Sequence, residues 1–534
     1  MKKNLFYLIV ILFFFSACRK NEQLLDENVI PDIKNSLNQG LVVLGNKLEN
    51  PYSVKNMRLA YKNLTGKSGY VMSSTIGQNI GITHYYVRFL PINGAQYDVL
   101  KLDSTLTLYP IPLDYEIISS GSNYQNTSGT PSWQYTAVKK SYKFNPTIKY
   151  EILEELYLPE QTETTNTSSL GRPPSTNNKF IVELVNEAMR ITNNLQDTIK
   201  VNNGNKMSWY PSGKIRVFDT RLNHHIPLVG VQVRGRRWFN FKSTYTDENG
   251  NYSLGYFGGR TNLSVFYETG NFDVRSGTFG QAWYDGPHQE RPWSLDINDG
   301  VQRFYAHVFR GARRYHYGNI GGLIQPNTSF VMGKIKYAAY DKSGGSQGDN
   351  WTTATQGGLL PDIRIWRFNS NYEYASDEIF STTVHETAHT THMNAMNGLI
   401  QYAQVSTIIM ESWPIAVEWQ ITQMEYRERG INNYSDPFYA ISASYPISSG
   451  YQYWTPSISQ DYTSIFIDLV DDHNQAGRFG NTGIRDNVTG FTLASIESQF
   501  LKHVYGMYSL GEELKAFKPA GVTDEQISEL LEAR

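Results

Sequence analysis

The 534-residue sequence contains a single cysteine, so the chain cannot form an internal disulfide. It also lacks a charge bias, because 48 lysines and arginines stand against 50 aspartates and glutamates. Dedicated nucleic-acid binders are usually basic, so nucleic acid is not expected among its partners. No apolar run after Cys18 approaches the ~20 residues that a membrane-spanning helix needs. The body of the protein should therefore depend on packing alone for its stability.

The position of the one cysteine is informative. Two lysines precede an apolar run over residues 5–15, which is typical of a secretory signal. The run ends in Phe15-Ser16-Ala17-Cys18, which resembles the lipobox of bacterial lipoproteins. The resemblance implies a signal peptide over residues 1–17 and acylation of Cys18. It further implies a lipid-anchored protein of the cell envelope, at the outer membrane and facing either the periplasm or the exterior.

The segment from residue 18 to residue 208 divides at a change in composition. Residues 18–158 predict a β-rich N-terminal region, with strands at 84–89 and 105–109. Residues 159–208 predict a linker and a helix. The linker, 159–178, is rich in Thr, Asn, Ser and Pro. The helix, 180–194, has apolar residues three and four positions apart. The role of the N-terminal region is not legible from its residues.

Residues 209–270 alternate apolar and polar side chains in several short runs, which predicts strands. Asn249-Gly250 ends a turn signal at 247–250, where a positive φ is favoured. The succession of segments at 213–219, 226–231 and 246–252 resembles the carboxypeptidase-regulatory-like domain. That resemblance implies a small transthyretin-like β-sandwich, acting as an accessory module without catalytic residues.

Residues 271–534 read as a mixed region that begins with glycine-rich and aromatic loops. A strand is predicted at 363–366. A helix should follow with Ser376 as its N-cap and end near Asn397-Gly398. Further helices are predicted at 413–428, 460–474 and 492–504. The fold class is therefore α+β and multidomain: a β-rich N-terminal region, a transthyretin-like β-sandwich and a mixed catalytic domain.

The predicted helix after residue 376 contains His385-Glu386-Thr387-Ala388-His389. Histidines four positions apart lie on one helix face, where both can bind one metal ion. Such a site needs a third ligand. Glu411 is the first candidate, because Pro414 suits the first turn of a helix that would begin near Ser412. Glu418 is the rival candidate.

This arrangement resembles the gluzincin branch of the zincin metallopeptidases. The resemblance implies a zincin-like fold, a Zn²⁺ site formed by His385, His389 and Glu411, and protein or peptide substrates. Glu386 would be the general base toward the water at the metal. The strand at 363–366 would align the substrate. The metzincin branch requires Gly and His where this chain has His392 and Ala395.

Two further residues are candidates for stabilising the transition state. Tyr402 precedes Glu411 by nine residues, and His473 follows it by 62. Either could donate a proton to an oxyanion. A cap at the end of the helix predicted to finish at residue 474 is the other interpretation of His473. An alternative function is also open: a non-catalytic surface protein that binds protein or glycan through its many aromatic residues, with an inert zinc site.

Overall fold

A computed structural model describes residues 40–66, 80–122, 132–159, 176–198, 201–202, 205–206, 209–326, 334–343, 363–369, 372–431, 462–472 and 485–532. They form a mixed α+β fold with several sheets, which confirms the α+β part of the predicted class. The predicted signal peptide at 1–17, Cys18, His473 and most of the predicted linker at 159–178 lie outside these ranges. Within them, no helix has both the length and the hydrophobicity needed to cross a bilayer.

The helices and strands are numbered here in chain order. The helices are α1 (Val54–Thr65), α2 (Gly94–Leu102), α3 (Thr176–Ile191), α4 (Gly300–Tyr317), α5 (Ser376–Ala395), α6 (Leu399–Tyr402), α7 (Thr407–Glu428), α8 (Ile465–Asp468), α9 (Leu493–Gln499), α10 (Met507–Phe517) and α11 (Asp524–Glu532). The strands are β1 (Val43–Lys47), β2 (His84–Leu90), β3 (Tyr115–Ser119), β4 (Gly121–Ser122), β5 (Gln134–Lys139), β6 (Lys149–Leu156), β7 (Val201–Asn202), β8 (Asn205–Lys206), β9 (Ser212–Asp219), β10 (His224–Pro227), β11 (Gln232–Arg237), β12 (Asn240–Tyr245), β13 (Asn251–Ser253), β14 (Thr261–Phe266), β15 (Phe272–Ser276), β16 (Gly280–Gln281), β17 (Trp283–Gln289), β18 (Leu295–Ile297), β19 (Ile335–Ser343) and β20 (Ile363–Phe368).

The N-terminal region contains helices as well as strands. β2 is the central strand of the sheet β5-β2-β6, which confirms the strand predicted at 84–89. The strand predicted at 105–109 is wrong. Asp103 accepts hydrogen bonds from the backbone N–H and the hydroxyl of Thr105, which makes a turn there. Only Tyr109 forms a bridge, with Tyr135.

The alternating segments predicted after residue 209 form two sheets. One contains β10-β9-β13 with β18 beside β9, and the other has the order β12-β11-β14-β17-β4. β17 and β18, which follow residue 270, thus belong to these sheets. The two sheets bury apolar side chains in one core, including Ile215, Val217, Val233 and Val265. Gly250 has φ +76° in the predicted turn, where a side chain would be strained.

The last part combines a four-stranded sheet, β16-β15-β19-β20, with packed helices. α5 packs against both α4 and α7. Loops alone were expected at the beginning of this part, but it contains α4, whose apolar residues join the core of the two preceding sheets. In the segment expected to be helical over 460–474, the described helix is only α8. In place of a helix over 492–504 there are α9 and a 3₁₀ turn, Leu501–His503.

Candidate metal centre

α5 carries the histidine motif, and its position is fixed at its first turn and along its buried face. The helix begins at Ser376 with Ala375 as its N-cap, so the prediction of Ser376 as N-cap is wrong by one residue. The Ser376 hydroxyl instead accepts a hydrogen bond from the Thr220 N–H at 2.9 Å. The Glu378 carboxylate accepts from the Ala375 N–H at 2.7 Å. The bond to Thr220 holds the start of α5 against the end of β9, and the Glu378 bond closes the first turn of the helix on its N-cap.

The predicted end of this helix is close to the observed one. α5 ends at Ala395, and Asn397 and Gly398 follow with φ of +61° and +112°. Gly398 donates its N–H to the carbonyl of Met393 at 3.0 Å, which satisfies one of the last carbonyls of the helix. The chain then turns through α6 into α7.

α7 begins earlier than predicted. It starts at Thr407, and Pro414 lies inside the helix rather than in its first turn. Pro414 has no N–H to bond the carbonyl of residue 410, which costs helix stability. Buried apolar residues on both sides of the proline, including Ile409, Trp413 and Val417, favour a continuous helix by packing into the core. Glu411 therefore lies in the second turn of α7 and not just before its first residue.

Three donor atoms from α5 and α7 converge on one point. His385 Nε2 and His389 Nε2 are 3.2 Å apart. Glu411 Oε2 lies 3.6 Å from His385 Nε2 and 3.4 Å from His389 Nε2. All three residues are buried, and together they form a group that could bind a metal ion. Glu411 is thus the carboxylate that the structure brings to the two histidines.

The rival carboxylate, Glu418, contacts the opposite side of one ring. Its Oε2 lies 3.0 Å from His385 Nδ1. Tyr402, at the end of α6, has its hydroxyl 2.8 Å from His389 Nδ1. When each Nδ1 carries the hydrogen and donates it, each Nε2 presents a lone pair toward the common point. Glu418 and Tyr402 therefore orient the two rings for binding a cation.

The charges around the cluster also favour a cation. Burial lowers the pKa of His385, but hydrogen bonds to Glu411 and Glu418 outweigh burial and raise it to about 10. Burial raises the pKa of Glu411, but His389 and His385 hold it well below its ordinary range. Glu386 is buried, and its charge also raises the pKa of His385. Three acidic residues thus surround two imidazoles in a site with little solvent.

His392 belongs to the surroundings of the cluster. It is completely buried, and its ring packs edge-on against Tyr402 and Trp413, with centroids 5.1 and 6.3 Å away. Burial lowers the pKa of His392 to about 3, so the ring is neutral at physiological pH. The ring therefore packs between Tyr402 and Trp413 and is not one of the three donors of the cluster.

The strand that precedes α5 forms an edge of its sheet. The prediction at 363–366 is confirmed within β20, which runs parallel to β19. β20 comes last in the order β16-β15-β19-β20, and beyond β19 the described residues pair with its backbone only at its end, where Tyr374 donates its N–H to the Arg367 carbonyl and Phe368 forms a bridge with Glu373. A free strand edge can accept an extended peptide as a further strand.

The structure brings together the predicted residues His385, His389 and Glu411, and it places Tyr402 and Glu418, for which the sequence predicts other roles, at the two histidine rings. The contact of Glu418 with His385 had a signal in the sequence, since seven residues after Glu411 is two helical turns on the same face. The contact of Tyr402 depends on the turn between α5 and α6 and had no such signal. The chain matches no protein-family model, no curated protein and no solved structure.

Proposed function

We propose that this protein is a zinc-dependent metallopeptidase of gluzincin type. The observation that carries the proposal is the convergence of His385, His389 and Glu411 at 3.2–3.6 Å from one another, with both rings tied at Nδ1. Two imidazoles and one carboxylate are a donor set of catalytic zinc sites, in which a fourth position is open to water or substrate.

The donor set and the helix motif support zinc as the occupant. Two histidines four residues apart, with Glu386 after the first, and a glutamate from a second helix resemble the gluzincin pattern. Non-haem iron also uses two histidines and a carboxylate, so it is the rival occupant. Elemental analysis of the purified protein distinguishes the two metals.

The chain's own residues have distinct roles in the proposed reaction. His385, His389 and Glu411 hold the metal, which when bound supplies a Lewis acid that polarises the substrate carbonyl and acidifies water. Glu386 accepts a proton from the attacking water and passes it to the leaving amine. Glu418 and Tyr402 keep the two histidine rings in the binding orientation. β20 aligns the peptide at its edge.

The location and the accessory domain belong to the same proposal. The lipobox-like sequence at 15–18 supports export and acylation at Cys18, with the protein held at the outer membrane. The two sheets that share a core after residue 209 support a transthyretin-like accessory module beside a zincin-like catalytic domain. A Cys18→Ser variant should no longer incorporate labelled palmitate and should leave the membrane fraction.

The test of the catalytic proposal compares one buried and one exposed glutamate. Purified full-length protein should contain about one zinc per chain by elemental analysis and should cleave a peptide library until a chelator is added. Glu386→Gln should keep the zinc and lose cleavage by at least ~100-fold. Glu512→Gln, at an exposed position in α10, is the matched control and should retain both.

Two results would contradict the proposal. A wild-type protein that contains no zinc, or that contains iron instead, would remove the metal assignment. Full cleavage by Glu386→Gln would remove the role of that residue even if zinc were bound.

A further inference from the structure

A second candidate site lies away from the metal centre, where separate parts of the chain meet. It is a cavity of about 170 Å³ between α2, the loop after α2, the sheet containing β11 and β14, and the residue before β19. None of the residues that line it belongs to the metal cluster. Four of its thirteen lining residues are charged, and three of these are cationic: Lys101, Arg234 and Lys334, with Glu268 as the one anion.

Three cationic side chains in the lining converge on one buried carboxylate. The ammonium groups of Lys101 and Lys334 lie 2.5 and 3.3 Å from Glu268 Oε2. The guanidinium of Arg234 contacts Glu268 Oε1. Glu268 has 4% of its side chain exposed, so a single carboxylate in a poorly solvated position faces three positive charges.

The charged residues that surround this group do not remove the excess of positive charge around Glu268. Arg275 and Lys336 bind Asp98 at 2.6 and 2.5 Å, and Arg275 also lies 3.4 Å from Asp273. Asp273 Oδ2 also lies 3.9 Å from the Lys101 ammonium, so the three cations of the lining, Lys101, Arg234 and Lys334, stand against Glu268 and this second carboxylate, a surplus of one positive charge. Residues 327–333, just before Lys334, contain no acidic residue. The surplus charge is only partly exposed, which is unfavourable unless an anion approaches it.

The same cations retain hydrogen-bond donors for a ligand. A lysine ammonium has three N–H donors. Lys101 uses two of them, on Glu268 and on Gln281 Oε1, and Lys334 uses one, on Glu268. The remaining three N–H groups have no acceptor among the described residues. Arg234 is held in place because its guanidinium stacks on the Phe266 ring at 3.8 Å.

We propose that this cavity binds a small oxyanion, that is, a carboxylate, a sulfate or a phosphate. The ligand's oxygens accept hydrogen bonds from the free N–H groups of Lys101 and Lys334. Its negative charge offsets the local surplus of positive charge. The volume suits one such group and not an extended polymer. Because the cations come from the N-terminal region, the sheet and the segment before β19, the bound anion draws these parts together.

The experiment is calorimetric titration of the full chain with sodium sulfate, sodium phosphate and sodium acetate, each against chloride at constant ionic strength. At least one of the three should bind saturably with one site per chain, and the three arms identify which oxyanion fits. Lys334→Gln should weaken that binding about tenfold, as expected for losing one charge-assisted hydrogen bond. Lys55→Gln removes the same charge at an exposed position of α1 and should leave the affinity unchanged.

A variant that removes a negative charge instead of a positive one completes the test. Glu268→Gln raises the surplus by one charge, so it should tighten oxyanion binding. The proposal is overturned if none of the three anions binds saturably. It is also overturned if Lys334→Gln binds as tightly as Lys55→Gln, because the heat would then report a general salt effect. Should Glu268→Gln fail to fold, the two lysine variants decide.

Discussion

Glu418 Oε2 lies 3.0 Å from Nδ1 of His385, on the side of the ring opposite the point where the metal donors converge. Glu418 and Glu411 are seven residues apart on α7, which places them two turns apart on one helix face. A single face of α7 therefore supplies one donor to the cluster and the carboxylate that fixes another donor. The alignment of α7 against α5 sets both contacts at once.

Glu418→Gln should weaken metal binding without abolishing it. The amide can still meet His385, but it loses the charge that favours the ring in its binding form, so zinc affinity should fall about 10- to 100-fold. Competition against a fluorescent zinc chelator measures this. Glu411→Gln should cost more, because it removes a donor of the cluster. Equal affinity of Glu418→Gln and wild type would show that Glu418 has no part in orienting His385.

Tyr402→Phe separates two roles for this tyrosine. Its hydroxyl lies 2.8 Å from His389 Nδ1, so its loss should weaken zinc binding by about 3- to 10-fold through a freer ring. With zinc at saturation, kcat should then stay near the wild-type value. A kcat reduced more than ~10-fold with unchanged zinc affinity would instead assign Tyr402 to the transition state, as the sequence alone suggested. The two measurements together decide.

The sequence predicted the helix with the two histidines well, because its cap signals and its motif are local. It left the third donor open between Glu411 and Glu418. That choice depends on where α7 begins, and local rules gave Pro414 a first-turn position that core packing overrides. The distances within the cluster depend on how α5 and α7 pack, which no local pattern specifies.

The missed helix shows another limit. α4 has apolar or aromatic residues at three- and four-residue spacing, namely Val301, Phe304, Tyr305, Val308, Phe309, Ala312 and Tyr315. Arginines, His307 and Gly311 interrupt that pattern in the sequence, and His316 follows it. Three of these polar residues, His307, Arg310 and His316, are buried in ion pairs and hydrogen bonds with distant elements, so their helical environment becomes visible only in the fold. The segment at 105–109 shows the opposite error. Its β-forming residues predict a strand, but the chain forms a turn there that begins at Asp103.

Gly311 allows α4 to lie close to the motif helix. A Cβ at this position would stand 2.8 Å from the carbonyl oxygen of Phe380 and 2.8 Å from Thr383 Cβ, both on α5. Gly311→Ala should therefore destabilise the fold by about 1–3 kcal/mol despite alanine's better helix propensity. Urea unfolding measures this. Gly270→Ala, where a Cβ meets nothing within 4 Å, is the control; equal stability of the two variants would contradict the close contact.

Glu425 should make stability depend on acid pH. It is buried on α7 and lies 2.8 Å from Arg310, 3.2 Å from Arg314 and 2.6 Å from Arg429. Burial alone would raise its pKa, but the three arginines outweigh burial and lower it from 4.5 to about 2. A carboxyl group whose pKa is lower in the folded state stabilises that state above the unfolded pKa. This contribution is lost as the pH falls from about 4.5 toward 2.

Glu425→Gln is the variant that isolates this contribution. At pH 7 it should be less stable than wild type by about 3–5 kcal/mol, because it leaves buried arginines without a charged partner. The difference in unfolding free energy between the two proteins should narrow as the pH falls from 4.5 toward 2, where wild-type Glu425 takes up its proton. Urea unfolding at a series of pH values gives this difference, with Glu512→Gln tracking wild type throughout. A constant difference across that range would mean that folding does not lower the pKa of Glu425.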